Sequence, residues 1–249
     1  MRLRQQNYGT LQLATQIMFK SKIRLALETG FGLSLKIFPF IRNYITDKLS
    51  IFVYHGVTQY PAEFENNWGL AVSTETFQRQ VKWILNNFNI IHPRDLIEPI
   101  NIPDNAALIS FDDGFQGAFE NGIPYLVKNS IPSIIFLNMR SITEGRPLIS
   151  AIASYLESYE PQFRRFCHKS GIKTPYFLTL TPTLLQQYEE QFGPINDSKV
   201  NEFQGEFAND ETVKKWSDSD LVMFGNHLFD HWNSTSLSEK EFIDQYQKN

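Results

Sequence analysis

Two adjacent carboxylates and two spaced imidazoles are the residues of this chain best suited to chemistry. Asp112 and Asp113 stand in Ser110-Phe111-Asp112-Asp113-Gly114, and His227 and His231 stand in His227-Leu228-Phe229-Asp230-His231. Neighbouring side chains on a strand-end turn diverge, so one carboxylate can hold a cation while the other stays beside it as a base. Imidazoles four residues apart share one side of a helical turn and can converge on one ion. Two neutral nitrogens and one carboxylate form a three-ligand set with positions left open for water and substrate, the pattern of a catalytic metal site. Each motif also has a plainer reading. Asp-Asp-Gly is a common exposed turn with an Asx hydrogen bond, and two histidines on a turn can simply face solvent. With only five histidines in the chain, two at ligand spacing directly after a strand favour the ligand reading.

Those residues need a scaffold that brings distant segments together. Ile51-Phe52-Val53-Tyr54 is a short apolar run ending at His55, and Ser73 is placed to cap a helix whose apolar positions Phe77, Val81, Ile84, Leu85 and Phe88 fall at helical spacing. Further strands are expected at 89–91, 107–111, 133–137 and 221–224, with a helix over 118–128. Strands written as continuous apolar runs and alternating with helices indicate a parallel α/β sheet covered on both faces, or a barrel. Chemistry in such folds gathers at the strand C-termini, where His55, Asp112, Asp113 and His227 all stand. Between about 145 and 220 the pattern loosens into helices near 148–159 and 184–192 and proline-marked loops, read as an insertion.

Composition narrows the field. The chain has 249 residues, and 42% hydrophobic with 14% aromatic content is burial material enough for a folded domain. A net charge of −4 with no basic stripe argues against a nucleic-acid partner. The single cysteine, Cys167, cannot form an internal disulfide, so redox context stays open. The first 48 residues read as an N-terminal helical segment without the continuous apolar core of a signal peptide, and Glu28, Lys36, Gly30, Gly32 and Pro39 interrupt any membrane span over 25–41. No compartment is marked, and the cytoplasm is the favoured reading.

From 49 to 249 the chain resembles the polysaccharide deacetylases of carbohydrate esterase family four. The resemblance rests on Ser110-Phe111-Asp112-Asp113-Gly114, on Gly225-Asn226-His227-Leu228-Phe229-Asp230-His231, and on Ile123-Pro124-Tyr125-Leu126 leading to Ile131-Pro132-Ser133. It implies a distorted parallel (β/α) barrel, Asp112 as general base, and Asp113, His227 and His231 as metal ligands. Leu228 stands where the family usually has Thr or Ser, so support for that turn must come from elsewhere, with Asn226 a candidate. The tyrosine-containing motif and later strands of the family are not matched, which reads as a barrel incomplete at its C-terminal end. Tyr54-His55 resembles the circularly permuted branch, in which such a histidine is the catalytic acid; its bland alternative is a neutral histidine hydrogen-bonded beneath a loop.

The expected reaction is hydrolysis of N-acetyl groups on an aminosugar glycan, with water activated at a divalent metal, zinc by preference, as nucleophile. Asp112 takes the proton, the metal and a backbone N–H hold the oxyanion, and His55 protonates the departing amine. Trp68, expected in a loop over 64–70, either stacks on a sugar ring or caps the barrel. His92 and His168 read as structural or exposed. Two rivals stand beside this reading: a non-catalytic remnant whose open sheet edge favours a partner or self-association, and a hydrolase of small non-sugar amides.

Overall fold

A computed structural model describes residues 49–97 and 102–249, all within a unit spanning Lys48–Asn249. The expectations for residues 1–48 lie outside the described residues. In chain order the elements are β1 (Leu49–Tyr54), β2 (Gly56–Val57), α1 (Glu63–Trp68), β3 (Ala71–Val72), α2 (Thr74–Asn87) and β4 (Asn89–Ile90). Then come β5 (Ala106–Asp113), a π-helical turn (Ala118–Gly122) running into α3 (Ile123–Lys128), β6 (Ser133–Leu137) and α4 (Met139–Glu144). The rest is α5 (Ile149–Tyr159), α6 (Pro161–Lys169), α7 (Pro182–Phe192), α8 (Asp197–Gln204), α9 (Asp210–Ser217), β7 (Val222–Asn226) and α10 (Glu239–Lys248).

The main sheet is parallel throughout, in the order β1-β5-β6-β7, with β4 paired to the start of β5. This is the expected α/β class, and the described strands do not close into a barrel. Parallel pairing aligns the C-terminal ends: Tyr54 lies opposite Phe111, Asp113 opposite Leu137, and Leu137 opposite Asn226. The residues that follow those ends therefore emerge on one edge. The continuous apolar run of β5 is buried as expected of a central strand. β1 is less covered than its composition suggests, since Ile51 is half exposed. On its covered face the Ser73 hydroxyl caps α2, and Phe77 of that helix meets Tyr54 edge-on at 4.9 Å.

The region from 145 to 220 departs from expectation. Instead of two helices and loops it holds α5 to α9: the apolar faces of α5 to α8 form a second core around Phe163, Cys167, Leu180 and Val200, joined by Phe64, Phe115 and Trp232, while Val213 and Trp216 of α9 pack against the core of the main sheet. Helices this short need such packing, because their own propensity does not hold them. Among the described residues no helix is long and apolar enough to cross a membrane.

Candidate active site

The Asp112-Asp113-Gly114 segment ends β5 in a tight turn. The Gly114 N–H donates to the Asp112 carbonyl at 2.9 Å across Asp113, whose φ is 73°. An i to i+2 bond with positive φ at the centre is the strained form of the γ-turn, and it re-aims the Asp113 side chain. Asp113 is buried, and its Oδ1 lies 3.4 Å from Nε2 of His227 and 3.4 Å from Nε2 of His231.

The two histidines reach this point by a different route from the one their spacing predicts. Residues 227–231 are not helical, and both Leu228 (φ 63°) and His231 (φ 61°) adopt left-handed backbone. The segment is shaped by neighbours that take its peptide groups away from helical pairing. The buried Asn138 donates from Nδ2 to the carbonyls of His227 (2.6 Å) and Leu228 (2.7 Å), and Asn226 accepts the Leu228 N–H at 2.9 Å, the support expected of it. Gln245 pairs with the Asp230 N–H and carboxylate, and the Arg140 guanidinium meets Asp230 at 2.7 Å with both side chains largely buried. The His227 N–H bonds the Leu137 carbonyl, so every N–H and C=O of residues 227–230 has a partner. Gly225 is required beneath it, because a Cβ there would run into the Phe136 ring, which packs beside His227.

The donor set fits a cation. Ligand atoms around a tetrahedral ion with bonds of ~2.0–2.1 Å lie roughly 3.3–3.5 Å apart, the separation of Asp113 Oδ1 from each Nε2. Asp113 Oδ1 is moreover a buried oxygen without a hydrogen-bond partner. Backbone strain of ~1–3 kcal/mol per residue persists only where the surroundings hold it, and here it falls on two of the three converging residues.

The electrostatics are those of a mutually coupled cluster. Burial opposes the charge on Asp113, but His231 and His227 outweigh it and hold its carboxyl well below the usual range. Burial raises Asp112, partly offset by His227 and His55 and reinforced by Asp113. For His227, burial works against protonation, yet Asp113 prevails and the pKa is raised. His231 goes the other way: burial lowers it, and repulsion from His227 and His55 adds to that against the pull of Asp113.

His55 follows β1 on the same edge and couples electrostatically to Asp112, Asp113 and His231. Beside it stands a residue the sequence does not single out. Glu65 is a buried carboxylate that accepts the Ala62 N–H at 3.0 Å and lies against the Cα of Gly56, where a Cβ would collide with it. Its pKa is raised by burial, against the lowering influence of Ala62 and His55. Trp68 is the last residue of α1 rather than part of a loop. Its indole N–H donates to Ser154 Oγ at 2.9 Å, its ring meets Phe177 edge-on at 5.1 Å, and it is 42% exposed. His92 caps a 3-10 turn and contacts the Asp220 carbonyl at 2.7 Å, a structural placement, and His168 is exposed.

The family model for polysaccharide deacetylase matches residues 100–249. Among solved structures, IcaB from Ammonifex degensii is similar at 18% identity and TM-score 0.49, over 80% of this chain and 65% of that one. A de-N-acetylase from Aggregatibacter actinomycetemcomitans is similar at 17% identity and TM-score 0.40, over 72% and 54%. The Streptococcus pyogenes deacetylase PplD, solved with acetate, is similar at 12% identity and TM-score 0.46, over 82% and 66%. The chain thus spans between half and two thirds of the length of these three proteins. No curated protein matches it.

Proposed function

The chain belongs to the polysaccharide deacetylase family, and on that basis we propose that it hydrolyses N-acetyl groups of an aminosugar-containing glycan, using zinc held by Asp113, His227 and His231. The observation that carries the metal is the buried Asp113 Oδ1, unpartnered and equally distant from two imidazole nitrogens. When bound, the cation supplies Lewis acidity, polarising a carbonyl and easing loss of a proton from water.

The remaining steps fall to the chain's own side chains. Asp112 takes the proton from the attacking water, and its burial suits it to the task by moving its affinity for protons toward the working pH. The water oxygen bonds to the acetyl carbon, the carbon–nitrogen bond breaks, and His55 gives its proton to the departing amine. Acetate and a free amino sugar leave. Trp68, tied down through its N–H and exposed at the ring, is our candidate for stacking on a sugar.

Three variants test these roles together. Asp113→Ala should lose both bound zinc and turnover, whereas Asp112→Asn and His55→Ala should keep zinc and lose turnover by ~10²-fold or more. Full zinc and full turnover in Asp113→Ala would overturn the ligand assignment, and unimpaired turnover in the other two would overturn theirs.

A further inference from the structure

The start of α5 is fastened to the segment bearing the two histidines at two points. The Ile149 N–H donates to the Asp230 carbonyl at 3.2 Å, and the Ser150 hydroxyl lies 2.9 Å from Nδ1 of His231. Ser150 is buried. The opposite ring nitrogen, Nε2, is the one that faces Asp113. An imidazole that offers a bare Nε2 to a cation carries its proton on Nδ1, and that N–H then needs an acceptor in a buried site. A hydroxyl can accept it and can equally donate to Nδ1 when no cation is present, so it suits both forms.

Building on the metal reading above, we infer that Ser150 is a positioning residue for His231, holding the ring at Nδ1 so that Nε2 is presented to the metal. One turn further along α5, Ser154 makes the corresponding contact to the indole N–H of Trp68. The helix thus carries two hydroxyls of the same kind with separate targets, one on the His231 ring and one on the Trp68 indole. Ser154 therefore serves as an internal control for Ser150.

The test is calorimetric titration of zinc into metal-stripped protein. Ser150→Ala should bind zinc ~10- to ~100-fold more weakly, the range found when a partner of a metal-bound histidine is removed. Ser150→Thr, which keeps the hydroxyl, should recover most of the affinity, and Ser154→Ala should bind as the parent does. In the zinc-loaded parent, 15N NMR should show His231 protonated at Nδ1 and metal-shifted at Nε2, a readout that holds even if Ser150→Ala folds poorly. Parent-like affinity in Ser150→Ala, an equal loss in Ser154→Ala, or a bare or metal-bound Nδ1 would overturn the inference. Failure of the parent to bind zinc would overturn it together with the metal reading, whereas parent binding unaffected by Ser150→Ala would sink this inference alone.

Discussion

One oxygen concentrates the chemistry of the site. Asp113 Oδ1 is held between two imidazoles whose proton affinities move in opposite directions, and this sets a pH dependence. A histidine must be neutral to bind zinc, so a proton on His227 competes with the metal. Because His227 is raised above the ordinary 6.5, competition begins on the alkaline side of that value, while the lowered His231 is already neutral there. Zinc affinity should therefore weaken by about tenfold per pH unit as pH falls below the raised His227 value, measurable by titration between about pH 8 and 6. A flat affinity over that window would contradict the assignment. At this scale the grouping of Asp113, His227 and His231 was legible because histidine is rare in this chain and because Asp112, Asp113, His227 and His55 stand at strand ends, with His231 four residues beyond His227. Glu65, Asn138 and Ser150 were not, since a Glu in a first helical turn or a Ser in a helix looks like surface until its neighbours from other segments are known.

Between residue and molecule lies the irregular segment 227–231, whose shape depends on other elements. Asn138, just after β6, holds two of its carbonyls, and removing that amide leaves both half-buried without that donor. Asn138→Ala should cost about 1–3 kcal/mol in chemical denaturation and weaken zinc binding as well, because both ligands ride on the same turn. Parent-like stability and affinity would show that the turn holds itself. The misreading of this turn as helical has the same origin. Spacing of four is compatible with a helix, and only the partners Asn138, Asn226, Arg140 and Gln245 divert its peptide groups. Strands were easier to read: 133–137 came out as expected because five apolar or small residues in a row suit a strand buried on both faces. Helices α6, α8 and α9 were not anticipated, since they are short, mostly polar and depend on packing rather than on a long periodic pattern.

Across the molecule two apolar cores stand side by side, one beneath the main sheet and one among α5 to α8. Cys167 reports on the second. It is fully buried, and burial pushes its thiol up to about 12, so the reactive thiolate is scarce near neutral pH. The native protein should resist thiol reagents and label only on denaturation; rapid labelling under native conditions would mean that this core opens readily. The α5 helix joins that core to the candidate site through Ser150 and Ile149, so the region expected to be an insertion also supports the segment that bears His227 and His231. The central claim is that N-acetyl hydrolysis depends on a metal at Asp113, His227 and His231. Its most direct test is acetate release from an acetylated aminosugar oligomer by purified protein, before and after chelation and after zinc is returned, with Asp113→Ala alongside. The account predicts release that stops on chelation, returns with zinc and is absent in Asp113→Ala. Release that persists through chelation, or that survives in Asp113→Ala, would contradict it.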